Sequence, residues 1–153
     1  MNNKLQAMKK SFSLAIFCLP LFLHPAHAGD GHVGLVRELS GKVTIQRNGA
    51  SLAAAVGTPI MQSDTLVSSA DGSAGLTFED GTLLTLGPSS ELDLRQYVFE
   101  PSEAKYAFSV YLRKGTAIYS SGKLGKIAPS AVNVETPKAI VGVRGTKFLV
   151  EVD

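Results

Sequence analysis

Apolar and polar residues alternate with a period of two along most of this chain. Residues 42–47 set Val43 and Ile45 on one face and Lys42, Thr44 and Gln46 on the other, the pattern of a half-buried strand. Asn48-Gly49 follows, a pair suited to two successive positive-φ positions in a tight hairpin turn. Asp80-Gly81 does the same between 74–79 and 82–86, with Leu76 and Phe78 facing inward before the turn and Leu84 and Leu86 after it. Asp71-Gly72 marks a further turn. Leu92 and Leu94 then alternate with Glu91, Asp93 and Arg95, and Tyr106, Phe108, Val110 and Leu112 with Lys105, Ala107, Ser109 and Tyr111. Lys114-Gly115 reads as a turn into a strand at 116–119, and the last strand sets Phe148, Val150 and Val152 against Lys147 and Glu151.

No stretch of helical length shows a 3.6-residue period. Short strands separated by glycine-containing turns predict an all-β domain: a sandwich, a barrel or a β-helical stack. Two segments are less regular. At 97–103, Pro101 stops a hydrogen-bonded ladder. The Gly- and Ser-rich segment 120–130, with Lys123 and Lys126, reads as a mobile, solvated connection.

The first 28 residues follow another rule. Lys4, Lys9 and Lys10 precede an apolar run at 12–23, and small residues stand at Ala26 and Ala28. This is the pattern of a secretory signal peptide, with cleavage expected after Ala28. The run is about a dozen residues, against roughly 20 for a bilayer-spanning helix. Lipoprotein processing at Cys18 is disfavoured by the bulky Phe17 before it. The expected mature protein is a single domain over 29–153, exported to the periplasm, with extracellular release as the alternative and no stable membrane insertion.

Losing the leader changes the charge. The whole chain has 15 basic and 13 acidic residues; without 1–28, 12 basic residues face the same 13 acids, a net charge of −1. Cys18, His24 and His27 also leave, so His32 is the remaining histidine, and all 15 glycines stay. A thiol nucleophile, a thiolate metal site and a disulfide are thereby excluded, and no basic surplus drives nucleic-acid binding.

Catalytic chemistry finds little footing. His32 sits near the expected new terminus, and no G-x-S-x-G elbow is present. Glu79 and Asp80 are adjacent, so on a strand they point to opposite faces, and Asp80 suits the turn. Residues 142–146 carry glycines but lack the lysine of a phosphate-binding loop. The expectation is a non-enzymatic protein with no cofactor and no metal.

The stretch 134–150 (VETPKAIVGVRGTKFLV) closely resembles the signature of the FecR-type periplasmic domain, a Thr-Pro-x-Ala segment followed by Val-Arg-Gly-Thr-x-Phe. Upstream blocks keep the family's order, among them 41–44, 56–60, 64–66, 72–76, 78–82 and 112–115. The resemblance implies short strands and tight turns in a β-helix or solenoid-like stack, with a β-sandwich as the alternative. It also implies a protein-interaction module contributing to cell-envelope signalling or sensing, whose partner is another envelope protein. The full regulators carry a cytoplasmic anti-sigma segment and a membrane helix ahead of this domain. This chain is expected to be a free-standing module, whose partner supplies any transmembrane relay.

The binding candidates within the signature are Arg144, Gly145 and Thr146. A structural role for Arg144 is weighed above partner contact, with Pro137 opening a strand and Gly142 and Gly145 permitting close backbone approach. Two alternatives stand beside the leading one. Tyr97, Tyr106, Tyr111 and Tyr119 would stack on cell-wall or surface glycans, or an exposed strand at 147–152 would build an assembly.

Overall fold

The computed structural model describes residues 31–142 and 146–153. The leader at 1–28, and Arg144 and Gly145 of the signature, lie outside the described residues. The described part is all-β apart from short helical turns. Its strands are β1 His32–Ser40, β2 Val43–Arg47, β3 Ala50–Ala53, β4 Pro59–Met61, β5 Thr65–Ser68 and β6 Ser73–Phe78. They continue with β7 Leu83–Leu86, β8 Glu91–Glu100, β9 Lys105–Ser120, β10 Val132–Glu135, β11 Ile140–Gly142 and β12 Lys147–Val152. One α-helix, α1 Lys123–Ile127, lies between β9 and β10.

All strands join one curled sheet in the order β3-β2-β5-β8-β9-β7-β6-β1-β4, with β10 and β12 added to β9 and β11 to β10. Every pairing is antiparallel except that of β9 with β10. The 16-residue β9 belongs to both halves of the curl. Its first part pairs with β8 and β10, its last part with β7 and β12.

The hairpins form where the turn chemistry placed them. Asn48 (φ 50°) and Gly49 (φ 79°) both take positive φ between β2 and β3, and Gly81 (φ 83°) does so between β6 and β7. The inward rows are those the alternation selected: Val43 and Ile45, Leu76 and Phe78, Leu84 and Leu86, Leu92 and Leu94, and Phe108, Val110 and Leu112 are all buried in one core. Each such side chain contributes about 1.5–3 kcal/mol through removal from water. A chain of rings crosses the core, from Tyr97 through Phe78 and Phe108 to Tyr119 and Phe148, with successive centroids 5.1–5.4 Å apart.

Lys114-Gly115 is not a turn, because β9 continues unbroken through it. Gly115 takes φ 85°, and a Cβ there would lie 2.5 Å from Ser90 Cα. Glycine thus lets the strand bend from one half of the curl to the other while packed against Ser90. Residues 120–130 are not a mobile loop either. Two parallel strands need a crossover, and α1 provides it between β9 and β10, with Leu124 fully buried. Helical periodicity cannot be detected in five residues. His32 is no frayed end, since it opens β1 opposite Met61. Pro137 sits not at a strand start but in the tight turn joining β10 to β11, where Thr136 N–H donates to the Ala139 carbonyl (2.8 Å). Gly142 needs no special backbone, as nothing approaches its Cβ position.

Candidate functional site

The signature wraps β9. Its first strand, β10, buries Val132 and Val134 and runs beside residues 108–111. The Thr136 hydroxyl accepts from the N–H groups of Lys138 (3.3 Å) and Ala139 (3.0 Å), folding the chain into β11. There Ile140 is left 73% exposed. Thr146 follows the undescribed residues and is exposed, with its carbonyl accepting from Ser121 N–H at 2.7 Å. The last strand, β12, then pairs with residues 115–120. Of the three candidates, only Thr146 lies among the described residues, at the surface.

Behind Thr146 stands a polar hub that the sequence disclosed only as a turn. Asp80 is buried. Its carboxyl accepts from Thr82 N–H (3.2 Å), Thr82 Oγ1 (2.7 Å), Tyr97 Oη (3.0 Å) and Leu124 N–H (3.0 Å). Its backbone is used as well: the carbonyl accepts from Lys123 N–H (2.9 Å) and the N–H donates to Tyr97 Oη (3.0 Å). Gly122 N–H donates to Thr82 Oγ1 (3.2 Å). The hub therefore ties the β6–β7 turn, β8 and the start of α1 together, one residue from the Ser121–Thr146 bond. Burial pushes the Tyr97 phenol well above its ordinary value, so the hydroxyl stays protonated and serves as a donor. Burial also raises Tyr119, whose hydroxyl meets no partner at bonding geometry.

A second buried acid is likewise occupied in holding the fold. Asp64 receives both Arg47 Nε and Arg47 Nη2 at 2.7 Å, and Met61 N–H at 2.8 Å. That bond is the main reason the Arg47 guanidinium is raised further above its ordinary value. The fork pins β2 to the β4–β5 turn.

The outer side of β8 and β9 carries a charged ladder. The Arg95 guanidinium lies over the Tyr111 ring at 4.1 Å and pairs with Glu135. Arg113 pairs with Asp93 (2.8 Å) and Glu91 (3.5 Å). The guanidinium groups are exposed and their acids half-buried, and pairs this near the surface contribute about 0–1 kcal/mol each. The ladder decorates the surface and orients Tyr111.

The tyrosines do not form a stacking platform. Tyr97 and Tyr119 are core residues, Tyr111 is covered by Arg95, and Tyr106 leans on Phe99 with centroids 6.0 Å apart. Among the described residues no group of three His, Cys, Asp or Glu is placed to hold a metal, and no helix is long and apolar enough to cross a membrane.

Comparison with known proteins gives one match. The family model described as FecR protein covers residues 64–153, more than half of the chain. No curated protein and no solved structure gives a significant match.

Proposed function

The chain belongs to the FecR protein family, and from that premise we propose that it is a non-enzymatic protein-interaction module contributing to cell-envelope signalling or sensing. On this reading it is exported by its leader and works in the periplasm, where it docks on another envelope protein. The observation that carries the proposal is how the polar chemistry of the fold is used. Asp80 and Asp64 spend their oxygens on β-turns, on α1 and on the Arg47 fork. What the signature leaves to solvent includes instead the β11 hairpin with Ile140, and Thr146. An apolar side chain beside an exposed strand edge suits a protein partner.

The solenoid-like description of the curl belongs to the same proposal. Its support is that the chain passes repeatedly from one half of the sheet to the other, as β1 to β2, β5 to β6 and β7 to β8 do. The two halves sharing β9 can equally be described as a sandwich.

Photo-crosslinking in intact envelopes tests the docking. A crosslinkable residue at Ile140 or Thr146 is expected to capture one defined envelope protein, while one at Lys105 in the β8–β9 hairpin captures none. Equal capture at all three positions, or no capture at Ile140 and Thr146, would sink the proposal.

A further inference from the structure

We propose that the outer edge of β12 is a self-association surface, on which a second copy of this chain adds its own β12 antiparallel about a two-fold axis through Leu149. The inference rests on backbone parity and on charge, and stands independently of the family reading.

Parity comes first. The Ser121 N–H to Thr146 carbonyl bond falls in the same register as the whole β9–β12 pairing, which runs from Ser120 opposite Lys147 to Gly115 opposite Val152. Antiparallel ladders alternate between bonded and non-bonded residue pairs. Residues 148, 150 and 152 therefore direct their N–H and C=O groups at β9. Those of Lys147, Leu149 and Glu151 point the other way, to the open edge. Among the described residues no strand pairs with that edge.

Charge then selects the register. The side chains of Lys147, Leu149 and Glu151 are the exposed set on this strand, Leu149 at 58%. Neither charged residue has an ion-pair partner among the described residues. A two-fold axis at Leu149 sets Lys147 opposite Glu151 of the second copy, Glu151 opposite its Lys147, and the two Leu149 side chains against each other. The half-buried Phe148 and Val150 face each other across the same seam on the inner side. Moving the axis to Lys147 or to Glu151 sets like charges opposite each other, which is unfavourable. Centring it on Val150 puts Leu149 against Glu151.

Edge lysines ordinarily block open-ended pairing. Here Lys147 blocks the wrong registers and completes one. A two-fold pairing uses up the edge on both copies, so it closes as a dimer and does not propagate.

Charge exchange tests this directly. Sedimentation of the full chain is expected to show a concentration-dependent dimer. Lys147→Glu or Glu151→Lys alone turns both cross-strand pairs repulsive and weakens dimerisation on the order of ten-fold or more. The double exchange Lys147→Glu/Glu151→Lys restores it to within about three-fold, because every opposite pair is again complementary. Leu149→Cys, in a chain also carrying Cys18→Ser, crosslinks to its partner on oxidation, since directly opposite bonded residues lie about 5.5 Å apart at Cα. Val150→Cys does not. Melting of each variant checks that it is folded, and the cysteine pair gives an independent reading if a charge variant is not.

A wild-type chain that stays monomeric at about 1 mM, the weak end of specific association, overturns the proposal. So does a double exchange as weak as its single parents, or equal crosslinking at 149 and 150. None of these results touches capture at Ile140, which lies on β11 and outside this seam, so failure here is distinguishable from failure of the docking reading.

Discussion

Replacing Asp80 by alanine removes the acceptor of four hydrogen bonds at once. Two of the donors, the hydroxyls of Thr82 and Tyr97, can rotate toward other groups. The other two, the N–H groups of Thr82 and Leu124 at 3.2 and 3.0 Å, have directions fixed by the backbone and are left buried without a partner. Each buried donor so stranded costs about 1–3 kcal/mol. The expected loss for Asp80→Ala is therefore about 3–5 kcal/mol, at the severe end for a single substitution. In a chain of this size that lowers the melting temperature by roughly 10–20 °C. Asp80→Asn keeps one acceptor oxygen but turns an NH2 group on the remaining donors, and should cost about half as much. Urea unfolding followed by circular dichroism gives the magnitude, and an unchanged m-value shows that stability alone moved. Hydrogen exchange gives the location, because protection should vanish first at the amides of Leu124 and Ala128 in and after α1. A loss below about 1 kcal/mol, with Leu124 still protected, would refute the claim that the hub holds α1 in place.

Three further outcomes follow from the same physics. Gly115→Ala should destabilise by at least about 2 kcal/mol, read in the same unfolding assay, because it combines a left-handed backbone with overlap on Ser90. Arg47→Met should cost about 3–5 kcal/mol, since it strands the fully buried Asp64, and the loss should shrink in an Arg47→Met/Asp64→Asn double variant. Alkaline pH should destabilise the fold. Tyr97 and Tyr119 are both raised by burial above their ordinary value of 10.0, so above about pH 10 the unfolded chain releases protons that the folded chain retains. Stability present below that value then falls as pH rises through the folded values, and Tyr97→Phe should flatten the slope in pH-dependent melting.

How much of this was legible in the sequence depended on the range of the interactions. The β6–β7 hairpin could be read because its causes are local: Leu76, Phe78, Leu84 and Leu86 alternate, and Gly81 stands where a positive φ is needed. The continuity of β9 could not, because a glycine after a lysine signals a turn equally well when it bends a strand across two sheet halves. The Asp80 hub was visible only as turn chemistry. Two of its partners lie 17 and 44 residues away, and neither Tyr97 nor the Leu124 amide carries a pattern announcing the contact. Of the candidate site, the signature itself was plain, and Thr146 lies at the surface. The roles assigned to Pro137 and Gly142 failed because a Thr-Pro pair also makes a tight turn, and an exposed glycine need have no steric duty.

The wrapping of β9 bears on the order in which the molecule can become complete. Strands β7 and β8, which cover one side of β9, are already made when β9 emerges. The strands that cover its other side, β10 and β12, both come later in the chain, from the region of the signature. Until those later strands are available, one flank of a 16-residue strand stands open with a row of unsatisfied N–H and C=O groups, which invites pairing with other chains. A chain cut before residue 132 would therefore be an aggregation hazard in spite of keeping most of its core. The signature is in that sense a seal over the longest strand among the described residues.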